Sequence, residues 1–239
     1  MKIIRNDKLI KRNAVIGQTT SLLSLLILGI GMYISFKKPE MFSLSVGALL
    51  VGFLLSQVGI YFGNRWGRSP RPDELLDQGL KGMPGDYTIY HYASPVPNLL
   101  VGPAGIWLLL PFHQNGKILY DGKKWKIKGG GFTQSYMRVF GQENMSRPDL
   151  DAAALAEKLK RTLLKEIPED KIAPINTVII FTSKIAEVEA DDAPVPTMHL
   201  KKLKPFIRKV AKDAPITAQE IKAVNNALKH KAQNLKREV

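Results

Sequence analysis

The chain of 239 residues has no cysteine. That excludes disulfides, thiolate metal sites and cysteine nucleophiles together. Histidine is almost as scarce. His91, His113, His199 and His230 are the only four, and no two stand at the spacing of paired metal ligands. Missing as well are the phosphate-loop pattern G-x-x-x-x-G-K-[ST], the G-x-S-x-G elbow, the H-E-x-x-H helix and the EF-hand loop. The glycine run at 129–131 follows Lys128 without the rest of a phosphate loop, and reads as a flexible connection. Nothing in these patterns implies a cofactor or a metal ion. The last absence is local: residues 14–36 and 41–62 contain no Asp, Glu, Lys, Arg or His.

Each uncharged run is long enough for the roughly 20-residue helix that a bilayer core requires. Two such runs in succession do not fit as buried core helices in a soluble domain of this size. A basic segment precedes the first run, as in a signal peptide. The run nevertheless exceeds the roughly 7–15 apolar residues of such a segment, no A-x-A-like cleavage site follows, and a second run comes at once. Residues 14–62 therefore read as a transmembrane helical hairpin, closed by Lys37-Lys38-Pro39-Glu40. Lys2, Arg5, Lys8, Lys11 and Arg12 stand ahead of it, and Arg65, Arg68 and Arg71 behind it, against two lysines in the turn. The positive-inside rule then puts both termini in the cytoplasm, with residues 1–13 a basic N-terminus and the lipid bilayer the first partner. Ala48, Gly52 and Ser56 recur every fourth residue, Ser43 and Gly47 repeat the spacing, and Gly17, Ser21 and Ser24 supply counterparts. Small residues of this kind let a neighbouring backbone approach, within the hairpin or in another membrane protein. Gln18 and Gln57 are expected to pair inside the bundle.

Residues 63–72 (GNRWGRSPRP) are a linker by composition, and residues 73–239 read as one α/β domain. Pro72 with Asp73-Glu74 opens a short helix. TIYHYA (88–93), NLLVG (98–102) and IWLLL (106–110) are strand-like. KILY and KKWKIK flank Asp121-Gly122, a type I′ hairpin signal. Leu155, Leu159 and Leu163 mark a helix beginning at Pro148. INTVIIFT (175–182) suits a strand covered on both faces. A basic helix follows with Leu203, Phe206, Ile207 and Val210 on one side, and Thr217 with Glu220 forms a capping box ahead of the last helix. The order indicates a mixed sheet flanked by helices. Residues 64–239 hold 28 Lys or Arg against 19 Asp or Glu. Near an anionic leaflet each surface cation gains on the order of 1 kcal/mol, so membrane proximity explains the basicity as well as nucleic acid does.

The helix carrying Glu74, the segment DYTIYHYASPVPNLLVGPAGIWLLLPFHQNGKILYDGKKW, the Pro148 helix and VIIFT stand in an order that resembles the nuclease-related domain (NERD) family over roughly residues 73–228. The best-matched motif is LLVGPAGIWLL at 99–109, followed by Gly-Lys-Ile and a Trp. The resemblance implies a restriction-endonuclease-like fold. It also implies a site made of an Asp ahead of the first motif strand and a Glu-x-Lys on the next. Two carboxylates would hold Mg²⁺ and the Lys would orient the attacking water. Residue by residue, those positions are Pro97, Leu110 and Phe112, and Pro111 removes a backbone N–H between the last two. Glu74 matches the family's first-helix Glu and is the one retained catalytic candidate. Asp86, Asp121 and His113 are the nearest other polar groups.

Three readings follow. The leading one is a membrane-anchored, catalytically silent NERD-like module for binding or assembly, with Leu110 and Phe112 as an apolar contact for another membrane or cytoplasmic protein. The second is a membrane-tethered nucleic-acid-binding protein, using Lys123, Lys124, Trp125, Lys126 and Lys128 for phosphate contacts and stacking, together with the basic run at 201–212; the same five residues suit anionic lipid as well. The third is a metal-dependent nuclease with a non-standard site. The oligomeric state stays open.

Overall fold

A computed structural model of the chain describes residues 1–129 and 147–237; Gly130 and Gly131 of the glycine run lie outside them. The chain divides into two compact units. One is Asp7–Arg71. The other combines Met1–Asn6 with the described residues from Pro72 onward.

The Asp7–Arg71 unit is a pair of antiparallel helices, α1 (Asp7–Lys37) and α2 (Phe42–Phe62), joined through a 3-10 turn at Pro39–Met41. Both are long and apolar enough to cross a membrane. Their outer surface is apolar: of the 24 large apolar side chains that stand exposed among the described residues, 20 lie between Val15 and Tyr61. The seam between the helices is made of small residues seven apart, Gly17, Ser24 and Gly31 on α1 and Ser45, Gly52 and Gly59 on α2. Ser45 Oγ donates to the Gly31 carbonyl at 3.0 Å. A Cβ at Gly52 would stand 2.7 Å from Leu28 Cγ, and one at Gly17 would stand 3.0 Å from Gly63 N.

This corrects the four-residue stripe in part. Gly52 is in the seam and Ala48 flanks it beside Gly31, but Ser56 is half-buried with its hydroxyl turned to the Phe53 carbonyl. Ser43 and Gly47 face outward. At 3.6 residues per turn a four-residue step rotates about 40° around the helix, whereas a seven-residue step drifts only about 20° and stays against its neighbour. Gln18 also faces outward rather than into the pair. Residues 63–67, expected as linker, instead prolong α2 as a π-helical turn, Gly63–Gly67, over which Tyr61, Phe62 and Trp66 cluster.

The other unit is built on a mixed sheet of strands β1 (Lys2–Arg5), β2 (Thr88–His91), β3 (Asn98–Gly102), β4 (Gly105–Phe112), β7 (Ile175–Phe181) and β9 (Thr197–His199), in that spatial order. β1 runs parallel to β2, β2-β3-β4 is an antiparallel meander, and β4, β7 and β9 are parallel. β5 (Gly116–Tyr120), β6 (Trp125–Lys128) and β8 (Ala186–Glu189) form a second, three-stranded sheet in the order β6-β5-β8.

Alternation along β4 explains its unbroken apolar run. Trp107 and Leu109 pack on one face with Leu76 of α3 (Pro72–Gly79), Leu80 just after it, and Leu203 and Ile207 of α5 (Leu200–Asp213). Ile106 and Leu108 pack on the other with Leu159 and Leu163 of α4 (Pro148–Leu163) and Val224 and Leu228 of α6 (Ala218–Arg237). The central strand β7 is covered on both faces, as its composition requires. The capping box forms: Thr217 N donates to Glu220 Oε2 at 2.7 Å, and Glu220 N to Thr217 Oγ1 at 3.3 Å. The Thr217 hydroxyl, which donates to Glu220 Oε2 at 2.7 Å, and then the Thr217 N–H favour the ionised carboxylate and hold the Glu220 acid below its ordinary range.

The N-terminus departs from the sequence expectation. Residues 2–5 are not a free basic tail but an edge strand, paired Lys2 to Thr88 through Arg5 to His91. The Met1 ammonium donates to the Met83 carbonyl at 3.2 Å, Lys2 N to the Tyr87 carbonyl at 2.7 Å and Asn6 N to the His91 carbonyl at 3.0 Å. Ile4 packs into the second core and Met1 against the first. The chain thus starts in the sheet, departs for the helix pair and returns to the same unit at Pro72.

Candidate functional site

The positions that the resemblance assigns to nuclease chemistry gather at the carboxyl end of β4 and at the start of β3. Pro97 ends the loop entering β3, where its carbonyl accepts from Tyr92 N at 2.7 Å. Leu110 and Phe112 are both half-buried. β4 stays paired with β7 through this stretch, Leu110 to Ile179, Pro111 to Ile180 and Phe112 to Phe181. The Phe112 ring meets that of Phe181 with centroids 6.1 Å apart and packs on the cluster of Ile118, Trp125 and Ala186. Within the fold, Phe112 is therefore core between the two sheets. Just beyond the strand stands His113, whose Nδ1 is 3.1 Å from Thr182 Oγ1. Glu74 is half-buried in the first turn of α3. Among the described residues no group of three or more His, Asp or Glu is placed to hold a metal ion.

The acids that are buried lie elsewhere and already have a cation. Asp73 is 0 % exposed and Asp77 lies one helical turn further along α3. Arg5 reaches both: its Nε is 2.9 Å from Asp73 Oδ2, and its Nη2 contacts Asp77 Oδ2. The Arg5 Nε–H is not aimed along a hydrogen bond to its partner, so that half of the contact is ionic attraction rather than a directed bond. Fully buried His91 continues the network, with Nε2 3.0 Å from Asp77 Oδ1 and Nδ1 2.8 Å from the Asn98 side-chain oxygen. Helix α3 supplies the carboxylates because Asp73 and Asp77, four apart, share one helix face. Strands β1, β2 and β3 supply Arg5, His91 and Asn98 at one end of their ladder. The Arg5 guanidinium bridges the two carboxylates and offsets one of their two charges, so the cluster ties β1 to α3. In the sequence Arg5 reads only as a topogenic charge. Its partners are 68 and 72 residues away, and no local pattern announces them.

The lysine ribbon forms, with two differences from expectation. Trp125 is only 7 % exposed, its ring 5.1 Å from that of Tyr120. A base cannot stack on it without opening the core. The connection is a four-residue turn rather than a two-residue type I′ turn, because Tyr120 pairs with Trp125 and the Asp121 carboxylate accepts from Lys123 N at 3.0 Å and Lys124 N at 2.7 Å. The same carboxylate binds Lys126 Nζ at 2.7 Å. The Lys126 bond first, then the two backbone N–H groups, hold the Asp121 acid far below the usual carboxylate range. On the neighbouring strand, Lys117 Nζ pairs with Glu189 at 2.7 Å. Lys123, Lys124 and Lys128 remain exposed.

Comparison with protein-family models, with curated proteins and with solved structures gives no match for this chain.

Proposed function

We propose that the chain is an integral membrane protein in which a two-helix hairpin anchors a cytoplasmic, catalytically silent NERD-like domain that serves as a binding or assembly module. One observation carries the reading. The sheet-bearing unit contains both Asn6, just before the hairpin, and Pro72, just after it. An insertion that leaves and re-enters one folded unit crosses a bilayer an even number of times, so both of its ends share a side. The cations at those ends favour the cytoplasmic side. The apolar outer surface of the pair, with side chains such as Leu22 and Phe36 more than two-thirds exposed, fits a lipid solvent. Catalytic silence is supported by Pro97, Leu110 and Phe112 at the motif positions and by the engagement of Asp73 and Asp77 with Arg5. The nucleic-acid reading loses its stacking platform with Trp125 and keeps only exposed lysines.

The absence of native cysteine makes the topology directly testable. In intact cells an impermeant maleimide should label Lys38→Cys in the hairpin turn and should label Lys184→Cys only after lysis; the opposite pattern would reverse the assignment. The purified full chain in detergent, given DNA or RNA with Mg²⁺ or Mn²⁺, should cleave neither. Cleavage lost on Glu74→Ala would restore the enzyme reading. The full chain is needed, because a fragment starting at residue 73 lacks β1.

A further inference from the structure

The helix pair carries a groove at its Asn6 and Arg71 end, of about 540 Å³, lined among others by Gly17, Gln18, Ser21, Gly63, Gly67 and Arg68. The π-helical turn makes it. Arg68 N bonds back to the Gly63 carbonyl at 3.0 Å, and the widened turn carries glycine at both ends. A Cβ at Gly63 or Gly67 would meet nothing within 4 Å, so both glycines open onto free space. On the opposite wall Gly17 brings α1 against Phe62 and Gly63. That contact fixes Gln18 about 6 Å inside the first uncharged residue, Ala14, at 1.5 Å per residue.

Two polar side chains reach this groove and have no partner among the described residues, the exposed Gln18 amide and the half-buried Arg68 guanidinium. A carboxamide at that depth in a bilayer is costly unless it finds a hydrogen bond. The charge around it is predominantly positive. Lys8, Lys11, Arg12, Arg65, Arg68 and Arg71 flank this end, and Asp7 is the single acid. Arg65 lies over the Trp66 ring at 5.1 Å, within an aromatic group of the kind that sits at headgroup level.

We propose that this groove is a site for the headgroup of an anionic phospholipid, an inference that rests on the membrane reading above. The Arg68 fork donates to the phosphodiester oxygens, a geometry that guanidinium matches in pairs. The Gln18 amide donates from the other wall, and the glycine-lined floor admits the glycerol. A net-negative lipid is preferred because six cations at this end meet one acid, so a zwitterionic headgroup would bring an ammonium among them.

The test uses the delipidated full chain in detergent, titrated with short-chain phosphatidylglycerol and, separately, phosphatidylcholine, with bound lipid counted by native mass spectrometry. The chain should bind phosphatidylglycerol at least tenfold more tightly than phosphatidylcholine. Arg68→Ala and Gln18→Leu should each weaken that binding about tenfold. Gly67→Leu, which fills the groove without touching charge or packing, should abolish it. Lys38→Gln at the far end should change nothing. Equal affinity for the two lipids, or binding unchanged in Arg68→Ala and Gly67→Leu, overturns the site while the chain still sediments with membranes. A chain that stays soluble without detergent overturns the membrane reading and the site with it.

Discussion

Replacing Arg5 by Ala tests the idea that the first six residues belong to the folded domain. The substitution removes the cation between Asp73, which has no solvent contact, and Asp77, whose side chain is 17 % exposed; Arg5 itself is 23 % exposed. At 2.9 Å and an effective dielectric constant of about 20, Coulomb's law gives roughly 6 kcal/mol for the Asp73 contact before desolvation is subtracted. Removing one partner of a buried pair typically costs about 3–5 kcal/mol, because the other charge is left behind. The partial exposure of Arg5 and Asp77 favours the lower end, about 3 kcal/mol. For a unit of this size that is a fall in Tm of about 6–12 °C. The assay is a urea titration of the full chain in detergent, read by the fluorescence of Trp107 and Trp125 after Trp66→Phe has silenced the helix pair. Arg5→Lys should cost an intermediate amount, since it keeps the charge and loses the two-pronged fork. Asp73→Asn added to Arg5→Ala should recover part of the loss, since a neutral amide is cheaper to leave buried than a carboxylate. If Arg5→Ala costs less than about 0.5 kcal/mol, or if Asp73→Asn recovers nothing in that background, the pair does not hold β1 and the reasoning fails.

Gly52→Leu should separate the helix pair, because its side chain collides with Leu28, whereas Gly47→Leu on the outer face should be silent; single-cysteine crosslinking across the pair reads the difference. Phe112→Ala should destabilise the sheet-bearing unit by about 2 kcal/mol, somewhat below a fully buried Phe, because its ring packs against Phe181; unchanged stability would return Phe112 to the surface as a contact residue. Burial pushes the Tyr90 phenol up to about 12, from an ordinary value near 10. Its contribution to stability is therefore complete below pH 10 and declines as pH rises from 10 to 12. A spectrophotometric titration should show a late-ionising tyrosine that disappears in Tyr90→Phe. Thr217→Ala should cost about 1 kcal/mol by removing the cap of α6, measured by thermal unfolding.

The buried acids and the apolar motif positions were legible to different degrees. Pro97, Leu110 and Phe112 declare the loss of ligand chemistry by residue type alone. The Asp73-Arg5-Asp77 cluster does not, since Asp73 looks like an ordinary first-turn acid of α3, Asp77 like a surface acid one turn on, and Arg5 like one more charge before a membrane span. The lysine ribbon was half legible. Its strands follow from alternation and the place of its turn, though not the type, from Asp121-Gly122. The burial of Trp125 depends on the cluster formed by Phe181, Ile118 and Ala186, which come from separate stretches of chain.

Sequence alone determined what depends on neighbours within a few turns: two uncharged helices, the Thr217–Glu220 cap, the alternation of β4 and the apolar strength of β7. These follow from backbone hydrogen bonding and side-chain periodicity, which act over a handful of residues. Tertiary structure decided which residues close the sheet edge, which small residues form the helix seam, and what Trp125 and Phe112 touch. Those outcomes depend on pairings across more than 50 residues of intervening chain, or on the angular drift between two packed helices, and neither leaves a mark on the local sequence.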